Sequence, residues 1–454
     1  MADPLPQRRT VAVVGGGVAG LLAARRRAAR GDVVTILEAT ESLGGRVSRI
    51  EVDGLELDAG AESFATRGGS VERLLAELGL SDAVAEPSPT PAWVVGRGVA
   101  HALPASGWMG VPTDPFAPDV VAAIGRLGSL RLAMDRWLPV RVVAPDATAA
   151  GVFRRRLGRR ATARLVGPVV RGIYSKPLDA LPFSVLGPDV ASDLVARGGL
   201  LALAAARRAA APAGAAVLGL EGGVATLAEA LGDDARRLGV AVRTGVRVTE
   251  VRAASGVWEV ETGVDAAPIR VDEVVIAVPP AAAARIAPAF APTGASTGRA
   301  VLVTLVLDAP MLDAAPRGNG VLALPGLARA KALTHATAKW PWLAARTGGR
   351  HVVRLSYDAS ACAGLDEGAP AEAPGSLAGA ALADASALLG VPLGPPQLRD
   401  IAVVSWPDSS PLRDVDARPA PGLTLVGSAA GLSGIAAIVA ADFVLSDSQE
   451  RMTA

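Results

Sequence analysis

The sequence predicts an α/β fold: a discontinuous parallel-sheet domain, an α+β domain and a helical insertion. Three observations predict it. Near the N-terminus the apolar run Val11–Val14 leads into a glycine-rich turn and then a helical pattern. Near the C-terminus, PGLTLVGSAAGLSGIAAIVAADFV repeats the order strand, glycine turn, helix. Between them, VDEVVIAVPPAAAARI supplies a further apolar strand, Val274–Val278, halted by Pro279 and Pro280. Strands of a parallel sheet are buried on both faces and read as continuous apolar runs, so three distant segments contribute to one sheet.

The first segment is the most informative. Gly15, Gly17 and Gly20 stand in G-x-G-x-x-G spacing within VAVVGGGVAG. In such a strand–turn–helix the first glycine permits the turn, the second admits a pyrophosphate, and the third lets helix and strand pack closely. Free N–H groups at the helix start then face the phosphates, which makes Gly15, Gly16, Gly17, Val18, Ala19 and Gly20 cofactor-binding candidates. The next strand, Val33–Leu37, ends in Glu38, 18 residues past Gly20, close to the spacing of a ribose-binding carboxylate. Gly44, Gly45 and Arg46 form a second glycine turn with a cation, suited to the phosphates and flavin edge of a long dinucleotide. Gly60, Ala61, Glu62 and Ser63 form a small-residue loop that a flavin ring can approach. At the C-terminal turn, the N–H groups of Gly434–Ala436 are placed to stabilise negative charge on a reduced flavin. An NAD enzyme needs none of these additions, so the expected fold is Rossmann-like and the expected cofactor is FAD.

The middle of the chain fills in the other regions. GVAVRTGVRVTEVRAASGVWEVET alternates as strands around a turn at Ala253–Gly256. Residues 110–210 are mainly helical, and 290–400 mixes strands such as AVLVTLVLDA and HVVRLSYD with a helix near Leu377–Leu389. EGAPAEAPGS, 367–376, reads as a loop. Composition excludes several classes. The net charge of +1 gives no argument for nucleic acid. A lone cysteine, Cys362, excludes an intramolecular disulfide and fits a reducing compartment. MADPLPQRRT lacks the apolar core of a signal peptide, and no stretch spans a membrane, so a soluble cytoplasmic protein is expected. His101, His335 and His351 are isolated in the sequence and read as structural or surface residues. The basic run 154–160, RRRLGRR, reads as a solvated helix face before a contact with anionic lipid.

Over nearly its whole length the chain resembles the FAD-dependent protoporphyrinogen/coproporphyrinogen III oxidases of haem biosynthesis. The resemblance rests on VVGGGVAG, LEA, LGGRV, LDAGAESFATR, HALPASGWMGVP, LVGPVVRGIYSKPLDAL, LEGGVATLAEAL, VVIAVPP, KALTHATAKWPWL and GSAAGLSGIA. PVVRGIY and KALTHATAKWPW are the most particular and look like the actinobacterial branch. The resemblance implies a discontinuous FAD-binding domain (1–90, 215–288, 401–454), a substrate domain (91–109, 289–400) and a helical, membrane-associating domain (110–214). It implies noncovalent FAD touching Gly15–Gly20, Glu38, Ala39, Arg46 and Gly60–Ser63. Val248 would be an adenine-side backbone contact, with Trp406, Ser433, Gly434 and Ile435 beside the flavin. It implies removal of six electrons from a porphyrinogen, coproporphyrinogen III before protoporphyrinogen IX. Dioxygen would be the acceptor and hydrogen peroxide the product, so the enzyme would act on CH–CH groups. The flavin does this chemistry, so no dedicated catalytic side chain is assigned. Arg171, Lys176, Lys331 and Lys339 are the candidate cations for substrate propionates. Peripheral membrane contact and transient contact with other haem-pathway enzymes are the further partners the resemblance implies.

The chain also departs from the pattern. Relatives carry an aromatic and a leucine where this helix has Arg25 and Arg27, within Arg25–Arg26–Arg27. An Arg27 facing the sheet would bury an unpaired charge at a cost of several kcal/mol unless its head group reached solvent. Ala92 stands where some eukaryotic members have arginine, Leu432 where glycine is common, and the segment between SWPDSSPL and PGLTLVG is short. Two alternatives therefore stay open: a flavin amine oxidase-like enzyme, and a non-catalytic FAD- or porphyrin-binding relative.

Overall fold

The structure, a computed structural model, describes residues 8–66, 68–140, 142–174, 176–187, 189–210, 217–290, 298–407 and 420–443. Contacts divide the chain into two units, Met1–Glu86 with Ala215–Gly298 and Trp406–Ala454, and Pro87–Gly214 with Arg299–Ser405.

The first unit is built on a five-stranded sheet. Strand β1 (Thr10–Val14) passes through the glycine turn into helix α1 (Val18–Ala29) and returns as β2 (Val33–Leu37). The strand order is Ala241–Arg243, β2, β1, Glu273–Ile276, Leu423–Leu425, and every pairing is parallel. Val11–Val14 and Val274–Ile276 are buried on both faces, as their unbroken apolar runs require. The expected strand 274–278 starts one residue earlier and stops at Ile276. Ala277 and Val278 instead turn over Gly15, ahead of Pro279, which opens the helix Pro280–Ile286. From β1 the chain winds one way through β2 to Ala241–Arg243, and the other way through Glu273–Ile276 to Leu423–Leu425. The carboxyl end of β1 is therefore a topological switch point, where open parallel sheets hold their ligands. Helix α2 (Ser70–Glu77), the helix Ala225–Arg237 and a helix at 435–443 join α1 around one apolar cluster that includes Leu21, Leu74, Leu227 and Val439.

The second unit holds a seven-stranded sheet in the order Leu398–Pro407, Arg299–Leu307, His351–Asp358, Ala332–His335, Gly320–Ala323, Trp93–Gly96, Val99–Ala102. The last two residues of Leu398–Pro407 belong to the first unit. One sheet face packs the helix Leu377–Leu389 through Leu355, Tyr357, Leu382 and Leu388. A separate cluster, with Phe153 edge-on to Phe183, is built from the helices Pro118–Ala133, Ala149–Leu157, Gly167–Tyr174, Val190–Arg197 and Leu200–Ala209. The run 154–160 is not simply a solvated face. Arg154 pairs with Asp179 at the surface, but Arg156 is buried against Asp135 at 2.5 Å and also donates to the Asp135, Leu138 and Pro139 carbonyls. A buried carboxylate needs such a partner, and it explains why one arginine of the run turns inward.

Candidate functional site

The glycine turn separates residues that the fold needs from one that it does not. Gly15 has φ +103°, and a Cβ there would meet the Ala277 oxygen and Val278 at 3.0 Å. A Cβ on Gly20 would overlap the Gly15 carbonyl oxygen. Both are demanded by the backbone. Gly17 has φ −72°, open to any residue, and its Cβ would find nothing nearer than the Gly44 oxygen at 3.8 Å. Among the described residues no contact requires glycine at 17.

Around this opening the expected residues are hydrogen-bonded to one another. Glu38 accepts from Gly16 N–H at 2.7 Å and from the N–H and hydroxyl of Thr40, both at 2.8 Å. Gly44 N–H donates to the Gly16 carbonyl at 2.9 Å, fixing the second glycine turn against the first. Ala61 N–H donates to the Arg46 carbonyl at 3.1 Å. The Arg46 guanidinium donates to the Pro407 carbonyl, and the Trp406 indole donates to Ala59 at 3.1 Å. Arg46, Gly60–Ser63 and Trp406 thus share one neighbourhood. A cleft of ≈ 290 Å³ opens at the carboxyl ends of β1 and β2, lined by Gly15, Glu38, Ala39 and Val248. Arg247 and Arg285 also line it; sequence reasoning missed both, and Arg285, the sole cation in PAAAARI, was the available signal. The C-terminal turn packs on α1, since a Cβ on Gly427 would lie 2.5 Å from that of Ala19. Beyond it Ser433 and Gly434 are exposed, and Ile435 is buried at the start of helix 435–443.

The three arginines of α1 are all paired, which corrects the expectation of an isolated buried charge. Successive residues point about 100° apart around a helix, so each meets a different neighbour. Arg25 bonds Asp234 at 2.6 Å and Glu77 at 2.9 Å. Burial opposes its charge, but those hydrogen bonds outweigh it and hold its pKa above the ordinary value. Arg26 bonds Asp442 at 2.6 Å. Arg27 bonds Glu273 at 2.5 Å with Asp32 at 4.0 Å, and Glu273 also pairs with Arg9. A glutamate opening a buried strand was the sequence signal for that last partner.

In the second unit, Arg171 (3.5 Å) and the buried Lys331 (2.9 Å) both reach the carboxylate of Asp358. Lys176 is exposed, and Lys339 lies 4.9 Å from the Trp340 ring. The structure joins the first two candidates and leaves the others apart. His335 and His351 are not isolated: their rings share a hydrogen bond of 3.1 Å, and His351 continues to Asp313 at 2.9 Å. Strand pairing at His335↔Val353 aligns residues that look unrelated in sequence. Burial, reinforced by His351, depresses the His335 pKa to about 4. His101 bonds only the neighbouring Ala102 carbonyl among the described hydrogen bonds.

A family model described as flavin containing amine oxidoreductase matches residues 18–411. The chain belongs to that family. It is a flavin-dependent oxidoreductase, and the clearance at Gly17 beside a phosphate-facing helix start fits a dinucleotide-type flavin. Coproporphyrinogen III oxidase of Mycobacterium leprae is 30% identical over 95% of this chain and 96% of its own length. That of Mycobacterium tuberculosis is 30% identical over 89% and 87%. A crystal structure from Exiguobacterium sp., provisionally named protoporphyrinogen oxidase, superposes with a TM-score of 0.79 at 22% identity, covering 99% of this chain and 100% of that one. Among the described residues no helix is long and apolar enough to cross a membrane.

Proposed function

We propose that the chain oxidises a porphyrinogen to a porphyrin with noncovalent FAD, coproporphyrinogen III before protoporphyrinogen IX, using dioxygen and releasing hydrogen peroxide. The observation that carries the cofactor reading is Gly17, whose missing side chain no contact among the described residues explains. Names of relatives matched along nearly the full chain support the substrate. The chemistry that FAD held there would supply is hydride acceptance from the macrocycle and electron transfer to oxygen. The chain's own groups bind and orient. The α1 start presents N–H groups to the phosphates. Glu38 keeps acceptor capacity for a ribose hydroxyl beyond its bonds to Gly16 and Thr40. Ala39 and the Val248 backbone border the adenosine cleft. Arg46, Gly60–Ser63 and Trp406 flank the ring, and Ser433–Ile435 offers N–H groups where negative charge develops. Cys362, the sole cysteine, is half-buried in the second unit's core, which supports noncovalent attachment.

Arg171 and Lys331, brought together at the Asp358 carboxylate, are the cations assigned to a substrate propionate. The amine oxidase alternative loses support because both tyrosines are buried in the second unit: Tyr174 donates to the Val185 carbonyl and Tyr357 is fully covered. The non-catalytic alternative loses its main motive with the pairing of the three arginines. Its other motive, the short segment after SWPDSSPL, lies outside the described residues. Peripheral membrane contact draws on an exposed apolar stripe, Leu127, Leu130, Met134 and Trp137, flanked by the exposed Arg126 and Arg136. The deciding experiment mixes FAD-loaded protein anaerobically with coproporphyrinogen III. Bleaching of the oxidised-flavin band, with porphyrin appearing on admission of air, is expected. A band unchanged with both porphyrinogens refutes the reading.

A further inference from the structure

Helix 435–443 begins at the loop Ser433–Ile435, and nine of its residues are described. Three contacts seat it within the first unit. Its apolar stripe, Ile435, Val439 and Phe443, joins the cluster that buries Leu21 and Leu22 of α1. At its start the Ser70 hydroxyl donates to the Ala436 carbonyl at 3.3 Å. One to two turns further on, Arg26 holds Asp442 at 2.6 Å, and the Arg73 guanidinium lies 3.2 Å from the Phe443 ring centre. The Arg26 and Asp442 side chains are only 11% and 19% exposed. Arg25 and Arg27 point to other elements.

We infer that Arg26 is a positioning residue for the cofactor: through Asp442 it locks helix 435–443 onto α1 and so fixes the loop Ser433–Ile435. One helix starts at the phosphate turn and the other at the proposed flavin loop, so the Arg26–Asp442 pair contributes to the spacing between the two ends of the cofactor site. The inference rests on the proposed role of Ser433–Ile435. Removing Arg26 withdraws one hydrogen-bonded partner from the Asp442 carboxylate, which loosens the helix whose start carries the loop.

The test compares full-length Arg26→Met, Asp442→Asn and Arg26→Lys with the parent chain. Hydrogen exchange of 433–443 in the FAD-free protein is expected to quicken at least about tenfold in the first two variants, while β1 and Glu273–Ile276 are unchanged. FAD binding is expected to weaken about tenfold, with a shifted visible spectrum of the bound flavin, as misplacement at a preorganised site predicts. Arg26→Lys should recover most of both. Unchanged exchange in 433–443 overturns the lock. Faster exchange with unchanged FAD affinity and spectrum overturns the positioning role. If Arg26→Met fails to fold, Asp442→Asn decides alone. A parent chain that binds no FAD refutes the cofactor reading, and exchange still judges the lock.

Discussion

Replacing the Arg27–Glu273 pair with apolar residues should cost little, although removing either partner alone should cost much more. The two groups lie 2.5 Å apart, with side chains 16% and 9% exposed. Unit charges with centres about 4 Å apart attract by about 4 kcal/mol at an effective dielectric near 20. Desolvating two such ions costs several kcal/mol each, so the pair contributes about nothing net. Glu273→Val leaves Arg27 with only the long contact to Asp32 among its described partners, and should cost about 3 kcal/mol. Arg27→Leu leaves Glu273 with Arg9, itself largely exposed, and should cost about 1–2 kcal/mol. The double variant should fall within about 1 kcal/mol of the parent, a coupling of at least about 3 kcal/mol. Guanidinium unfolding by circular dichroism measures all four proteins. Additive losses, or a costless Glu273→Val, would refute the account of why this helix tolerates its arginines.

The glycines give a sharper contrast. Gly17→Ala should fold like the parent yet lose at least about tenfold in FAD affinity, whereas Gly20→Ala should fold poorly because its Cβ overlaps the Gly15 carbonyl; titration and melting of both variants separate the roles. His335 should make the protein acid-sensitive. Its native pKa of about 4 lies below the ordinary 6.5, so its stabilising effect is complete above pH 6.5 and is lost as pH falls towards 4. That amounts to about 1.4 kcal/mol per pH unit and about 3 kcal/mol in total. His335→Asn should flatten that slope relative to the parent in urea midpoints taken between pH 7 and 4.5. Trp137→Ser should at least halve sedimentation with anionic vesicles; equal sedimentation would remove the stripe from the membrane reading.

Much of the first unit was legible because its signals are local. Apolar runs without a break give parallel strands, and glycine spacing gives the turn. The boundary at Ile276 was misplaced because Val278 is apolar for a different reason: it covers Gly15 rather than extending the ladder. What stayed hidden depends on partners far away in the chain. Arg25, Arg26 and Arg27 read as a fault until Asp234, Asp442 and Glu273 are brought beside them by the fold. Arg156 read as surface because its periodicity is that of an exposed helix, while its partner Asp135 follows another helix and is fully buried. The histidine pair likewise depends on strand register, which no single stretch encodes.

The order of strands in the first unit has a consequence for how the protein comes into being. β1 and its glycine turn leave the ribosome well before Leu423–Leu425, the strand that completes their sheet. That partner is synthesised roughly four hundred residues later, so sheet completion is a slow, non-local step. Helix 435–443 is made later still. Until then the sheet lacks its edge strand and the apolar cluster lacks Val426, Ile435 and Val439. The site is thus begun long before it is finished, and cofactor capture waits for its C-terminal segment.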